Sequence, residues 1–259
     1  MTNSADARSA KTCNPGIEFD AGPYPRGRLG FVCVANAGLT EGEMFSMRPD
    51  GVGLSFTHMR MQTDCTIANL ARMEHDLDDA LSGFLPGRDD VGVVCYNCTS
   101  GSFVIGEETI RRKIEHGRTG VRGTTLLTGV VQALEALGTR RIAIGTAYTS
   151  DIDALERDYF EARGFEVSVI EGLGLLTDTD MNKVSPASLA AFAQSLDRPD
   201  VEAIFLSCGA LRSLAIVEQV ERTTGKPVLC SNQASFWHCL RLSGIDDRIS
   251  GFGRLLRDH

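Results

Sequence analysis

Two similar stretches, residues 91–102 and 201–213, constrain the fold of this chain more than any other feature. Each begins as a short apolar run and ends at a cysteine, Cys98 or Cys208, followed by small residues. Such runs are typical of buried parallel strands. The cysteines would then lie at the carboxyl ends of strands, where open α/β sheets bind their ligands and where a following helix N-terminus favours a thiolate.

Further landmarks repeat in the same order. Residues 28–36 match residues 140–148, and residues 120–138 match residues 226–244, at offsets of roughly 105 to 112 residues. Apolar runs alternate with helical patterns along the chain, which predicts parallel sheets covered by helices. We therefore predict an α/β fold of two pseudo-symmetric domains, each with a short parallel sheet, and an active site in the cleft between them.

The expected boundaries follow from this repeat. Residues 1–27 lack a continuous apolar segment, so we expect a flexible N-terminal arm and not a signal peptide. Residues 28–119 together with 226–259 are expected to form the first domain, with the C-terminal strand and helix completing it. Residues 120–225 are expected to form the second domain.

Composition limits the class of partner. The net charge of −8 argues against a nucleic-acid surface, and no apolar run has the length of a membrane span. Of the eight cysteines, Cys33, Cys95 and Cys239 lie in apolar stretches, as free buried thiols do. A reducing, cytoplasmic location is the expectation.

Two thiols on opposite walls of one cleft suit chemistry at carbon. One thiolate could remove a proton while the other thiol donates one, or one could add to a double bond and the other protonate the product. Neither route needs a metal or an organic cofactor. The alternatives are structural cysteines, a redox pair formed by Cys95 and Cys98, and a metal site, although the histidines show no ligand spacing.

Neutral donors are expected around these thiols, because backbone N–H groups and polar side chains follow several strands at their carboxyl ends. Such donors suit a carboxylate or an enediolate, so a small carboxylic acid or dicarboxylate is the expected substrate. The candidate substrate-binding residues are Asn36, Thr99, Ser100, Tyr148, Gly209 and Asn232.

Four segments carry a resemblance to a known family: residues 98–102, 147–148, 206–211 and 227–232. In this order they resemble the aspartate/glutamate/hydantoin racemase superfamily, and in particular the branch of maleate cis-trans isomerase and arylmalonate decarboxylase. The resemblance implies two pseudo-symmetric α/β domains with a cofactor-free site between them. Homo-oligomers are common for this architecture, so a homo-oligomer is an expectation.

The resemblance also implies roles. Cys98 would add to an alkene carbon of maleate, and Cys208 would act as acid and base. Asn36, Tyr148 and Asn232 would hold the carboxylates, assisted by the amides of Thr99, Ser100 and Gly209. The decarboxylases have glycine in place of the first cysteine, so the presence of both thiols favours an isomerase.

Other functions stay open. They include an arylmalonate-type decarboxylase, an amino-acid or hydantoin racemase, and a carboxylate-binding or sensing protein without catalysis. Residues 231–238 resemble the ectoine-utilisation proteins of the same branch, and residues 34–38 depart from the loop that is usual in maleate isomerases.

Overall fold

The computed structural model describes residues 16–259 and contains two four-stranded sheets whose neighbouring strands all run parallel. The first sheet has the strand order β2-β1-β3-β4. Its strands are β1 (Arg28–Val34), β2 (Gly53–Met59), β3 (Val91–Asn97) and β4 (Arg122–Thr125).

The second sheet repeats this topology with the order β6-β5-β7-β8. Its strands are β5 (Arg141–Thr146), β6 (Glu166–Gly172), β7 (Ala203–Ser207) and β8 (Val228–Cys230). The first strand of each half is central and pairs with the second and third, so the matching landmarks in the sequence correspond to matching strands. The prediction of two similar parallel α/β halves is confirmed.

Helices follow nearly every strand. In chain order they are α1 (Thr40–Met47), α2 (Ile67–Ser82), α3 (Thr99–Ile105), α4 (Glu107–Gly117), α5 (Leu126–Ala136), α6 (Ser150–Glu161), α7 (Asp178–Lys183), α8 (Pro186–Ser195), a 3-10 turn (Leu214–Ile216), α9 (Val217–Thr224), α10 (Ser231–Leu242) and α11 (Arg254–Asp258). None of the helices within residues 16–259 combines the length and the apolarity that crossing a membrane requires.

The expected placement of the C-terminal strand is wrong. Strand β8 pairs with β7 in the second sheet, and β4 pairs with β3 in the first, so each strand joins the sheet that immediately precedes it in the chain. A crossover of one helix brings β8 alongside β7, whereas crossing to the first sheet would break that local connection. The helices that follow these strands, α5 and α10, pack against each other and connect the two halves.

Close packing of α5 on α10 depends on Gly129. A Cβ atom at this position would lie 3.0 Å from both Ala234 O and Ser235 Cα. Only a residue without a side chain therefore lets the two helices approach this closely.

The packed chain begins before Arg28. The Tyr24 ring covers Gly53 of β2 and lies 4.7 Å from the Arg28 guanidinium, and Arg26 forms an ion pair with Asp247. These contacts place the start of the packed chain at Tyr24. Residues 1–15 of the expected arm lie outside the described residues.

One buried carboxyl group has no evident structural partner. Glu156 on α6 is fully buried, and within residues 16–259 neither of its carboxyl oxygens has a hydrogen-bond partner. Burial raises the pKa of Glu156 from 4.5 to about 8, because the charged form is poorly solvated there. The protonated form therefore prevails in the folded protein at neutral pH.

This carboxyl group should make stability depend on pH. The protonated Glu156 carboxyl contributes fully to stability below about pH 4.5, which is its pKa in the unfolded chain. This contribution is lost as the pH rises through about 8, its pKa in the folded protein. We expect Glu156→Gln to gain stability relative to wild type between pH 5 and pH 9, by on the order of 2 kcal/mol or more. Denaturant unfolding across this range tests the expectation. The control is Glu161→Gln on the exposed side of α6, and a difference between variant and wild type that is the same at every pH would contradict it.

Candidate functional site

A small cavity lies where the carboxyl ends of the two sheets meet, and its walls come from both halves of the chain. Its volume is about 20 Å³, which is space for about one water molecule, so its walls must separate to admit a larger ligand. The lining residues are Val34, Ala37, Met61, Cys65, Asn97, Cys98, Thr99, Ser100, Tyr148, Asp178, Cys208, Gly209 and Ala210.

Cys98 is the N-cap residue of α3. Its backbone is extended, and its Sγ accepts a hydrogen bond from the backbone N–H of Gly101 at 3.3 Å. A side chain at Gly101 would overlap the Tyr96 hydroxyl and reach within 3.1 Å of Cys98 Sγ, so this turn is closely packed around the thiol. The N–H group would stabilise negative charge on the sulfur.

Cys208 lies at the equivalent end of β7, in a strained conformation. Its φ of +138° is unfavourable for a residue with a Cβ atom, and such strain is commonly found at functional sites. Its Sγ accepts from the backbone N–H of Ala210 at 3.4 Å, and its own N–H donates to Ser231 Oγ at 3.0 Å. Each thiol therefore receives one backbone donor.

Two residues at the start of α10 connect the two cysteine turns. Ser231 Oγ lies 2.9 Å from Thr99 Oγ1 while it accepts from the Cys208 N–H. Asn232 Oδ1 accepts from Asn97 Nδ2 at 2.9 Å, and Asn232 Nδ2 donates to Gly209 O at 3.0 Å. The residues beside Cys98 are thus bonded through α10 to the residues beside Cys208.

Both thiols are hard to ionise in this closed state. Burial raises the pKa of Cys98 to about 11, although the Gly101 N–H and the Ser100 hydroxyl lower it. Burial raises the pKa of Cys208 further, well above its ordinary value, and the nearby Asp178 carboxyl adds to both shifts. Cys98 is therefore the more readily ionised of the two.

Four of the predicted binding residues line the cavity with the cysteines. They are Thr99, Ser100, Tyr148 and Gly209. Tyr148 follows β5 and is 2% exposed, and burial raises the pKa of its hydroxyl, which keeps it a neutral donor.

Asn36 does not line the closed cavity, so its predicted role in substrate binding stays a prediction. It is exposed in the turn after β1, and the next residue, Ala37, forms the wall. Asn182 donates to Ala37 O at 3.1 Å and to Ala210 O at 2.8 Å, which joins this loop to the opposite half. The turn directs Asn36 outward while its neighbour is held inward.

Asn232 also lies outside the cavity wall, behind Gly209 and Asn97. Besides its bonds to those residues, its Nδ2 donates to Glu43 Oε2 at 2.7 Å, so its amide groups are occupied by protein partners. In this closed cavity its contacts are those of a positioning residue, and its direct contact with a ligand stays a prediction. Burial raises the pKa of Glu43 to about 7, opposed by the Asn232 donor.

Three polar lining residues escaped the sequence analysis: Cys65, Asn97 and Asp178. Cys65 lies just before α2 and Asp178 is the first residue of α7, and the segments before these helices are joined where the Cys65 N–H donates to Leu176 O at 2.7 Å. Asn97 could have been found from its position, since it precedes Cys98 at the end of β3.

The fold and the site together define a class of protein. It is a parallel α/β protein with two pseudo-symmetric halves, each of which contributes one cysteine to a shared cavity. The sequence model of the arylmalonate decarboxylase family matches residues 87–256. The chain belongs to this family, and the resemblance noted from its motifs is confirmed.

Individual relatives agree. The arylmalonate decarboxylase of Bordetella bronchiseptica is 36% identical over 53% of this chain, and the match spans 58% of that relative. The maleate isomerase of Nocardia farcinica is 28% identical over 89% of this chain and 95% of its own length.

Solved structures show the same fold. A mutant of the Nocardia farcinica maleate cis-trans isomerase with a covalently bound succinylcysteine intermediate aligns with a TM-score of 0.82 at 27% identity, over 90% of this chain and 99% of that one. A liganded double mutant of arylmalonate decarboxylase aligns with a TM-score of 0.78 at 27% identity, over 88% of this chain and 98% of that one.

Mutation of Ser231 tests whether the hydrogen bonds from α10 hold the two cysteine turns together. Ser231→Ala removes the acceptor for the Cys208 N–H and the partner of Thr99, and a buried unpaired N–H costs about 1–3 kcal/mol. We expect a loss of this size in the free energy of unfolding and faster iodoacetamide labelling of Cys98 and Cys208. Ser82→Ala on the exposed face of α2 is the control. Unchanged labelling and stability would show that Ser231 does not hold the cysteine turns.

Proposed function

We propose that this protein is a cofactor-independent cis-trans isomerase of a small unsaturated carboxylic acid, with maleate to fumarate as the reference reaction. The observation that carries the proposal is that Cys98 and Cys208, one from each half, line the same cavity. The Nocardia farcinica relative supports it, because that protein is a maleate isomerase whose mutant holds a succinylcysteine.

In this proposal the Cys98 thiolate attacks one alkene carbon, and a C–S bond forms. The π electrons move onto the adjacent carbon and its carboxylate, and the Cys208 thiol gives its proton to that carbon. The resulting thioether has a single bond that can rotate. After rotation, the Cys208 thiolate removes a proton from that CH2 carbon, the double bond forms again in the trans geometry, and the C–S bond breaks to restore the Cys98 thiolate.

The difference in ionisation between the thiols supports this assignment. Each sulfur accepts one backbone N–H, and Cys98 has the lower pKa of the two, which suits the nucleophile. Cys208 keeps its proton more strongly, which suits the acid. The developing enediolate would be stabilised by neutral donors, with the Tyr148 hydroxyl and the N–H groups of Ser100 and Gly209 as the candidates.

A decarboxylase is the second candidate, favoured by the family match and by the identity to the Bordetella bronchiseptica enzyme. It would use Cys208 alone to protonate the carbanion left after loss of carbon dioxide. Cys98 would then be dispensable.

We also propose a cytoplasmic location and a small carboxylate as the partner molecule, with assembly into a homo-oligomer as a further expectation. Seven free buried cysteines within residues 16–259 suit a reducing compartment.

Removing either thiol should abolish isomerisation. We expect Cys98→Ala and Cys208→Ala each to lower kcat/KM for maleate by at least about a thousandfold, because each supplies a separate bond-making step. Proton NMR of maleate and fumarate measures this, with Cys239→Ala in the core of α10 as the control. Full turnover in both single variants would exclude the two-thiol mechanism. Release of carbon dioxide from an arylmalonate by Cys98→Gly would instead favour the decarboxylase.

The pKa of Cys98 predicts the pH profile. Since the thiolate attacks and the pKa of this thiol is about 11 in the closed state, its ionised fraction grows about tenfold per pH unit below that value. We expect kcat/KM for maleate to rise with pH between 7 and 9, with a slope near one on logarithmic axes. A profile that is flat or falls over this range would contradict Cys98 as the group that must ionise.

A further inference from the structure

Asp178 is a buried carboxyl group in the cavity that the reaction above does not use. It is the first residue of α7, and its residue surface is 9% exposed. Among residues 16–259 its Oδ2 atom has no hydrogen-bond partner. An unpaired carboxyl oxygen that lines a cavity is a costly arrangement unless a ligand supplies the missing donor.

Among residues 16–259, the cavity lining offers no compensating cation. Its lining, given above, contains three thiols, one phenol, one amide, two hydroxyl groups and this one carboxyl, and no lysine, arginine or histidine. The nearest cation along the same helix, Lys183, is exposed and pairs with Asp180. Asp178 lines the same cavity as Cys98 and Cys208, and burial raises the pKa of its carboxyl group.

These groups favour a ligand whose two ends differ in charge. Neutral donors from Tyr148 and the turns after Cys98 and Cys208 can hold one carboxylate. A second carboxylate beside Asp178 would meet a like charge in a poorly solvated site, and like charges there repel strongly. A group with N–H donors and positive charge would satisfy the Oδ2 atom instead.

We propose that Asp178 binds a protonated amine of the substrate, so that the preferred substrate is a short amino acid with one carboxylate rather than a plain dicarboxylate. This inference rests on the proposed function, because that proposal identifies the cavity as the active site. The assignment makes Asp178 the residue that determines specificity between a diacid and its amine counterpart.

Binding of two unreactive acids tests this without turnover. Succinate and 4-aminobutanoate have no double bond, so calorimetric titration with wild type reports recognition alone. We expect wild type to bind 4-aminobutanoate at least about tenfold more tightly than succinate, since a hydrogen bond to a charged group contributes roughly 1.5–3 kcal/mol. Asp178→Asn should reverse this preference by weakening the amine and strengthening the diacid.

The matched control is Asp180→Asn, which removes an exposed charge two residues away on α7 and should leave both affinities unchanged. Asp178→Ser is a second variant, in case the first does not fold. A wild type that prefers succinate, that does not bind 4-aminobutanoate at millimolar concentration, or whose preference survives both Asp178 variants overturns the inference.

A parallel assay separates this inference from the proposed function. Wild type is given maleate and cis-4-aminobut-2-enoate, and isomerisation is followed by NMR. Amine-selective binding without turnover of either alkene would refute the isomerase and leave the Asp178 assignment intact. Turnover of maleate at equal or higher kcat/KM than the amino acid, with no amine-selective binding, would refute the Asp178 assignment and leave the isomerase intact.

Discussion

The site depends on the hydrogen bonds that Ser231 and Asn232 make to both cysteine turns. The two cysteines are 110 positions apart in the chain and belong to different sheets, so nothing local keeps them together. Ser231 bonds to Thr99 and to the Cys208 N–H, and Asn232 bonds to Asn97 and to Gly209 O. Because these groups are buried, breaking any link would leave an unpaired polar atom, which makes the arrangement cooperative.

This dependence explains why the sequence predicts the cysteines better than their surroundings. Strand ends and the repeat are local patterns, so Cys98, Cys208 and Tyr148 could be placed in one cleft from spacing alone. The sheet that β8 joins was not decidable in this way, because two similar halves accept the same strand pattern. Asn36 and Asn232 follow strands as predicted, but a turn directs one outward and the other is bonded to protein groups. Asp178 reaches the cavity from the first turn of α7, and the path of the segment that connects α7 to β6 is not encoded by any periodicity.

Burial has opposite effects on recognition and on reactivity here. A cavity of about 20 Å³ is poorly solvated, which strengthens each polar contact with a ligand. The same burial raises the pKa values of both thiols and of the Tyr148 hydroxyl, which favours their neutral forms. A reaction that begins with a thiolate therefore needs something in the bound state that lowers the cost of ionising Cys98.

The charge of the ligand decides whether the cost of ionising Cys98 falls, and it differs between a diacid and an amino acid. A second carboxylate next to Asp178 would add another negative charge near Cys98 and Cys208 and raise both pKa values further. An ammonium group at the same place would neutralise the Asp178 charge that already raises them, and it would offer the thiolate a nearby positive partner. Since the lining described for residues 16–259 has no lysine, arginine or histidine, an amine of the substrate would bring a positive charge that these residues do not supply. Binding of an amine would thereby couple recognition by Asp178 to activation of the nucleophile, whereas a diacid would bind at the expense of ionisation.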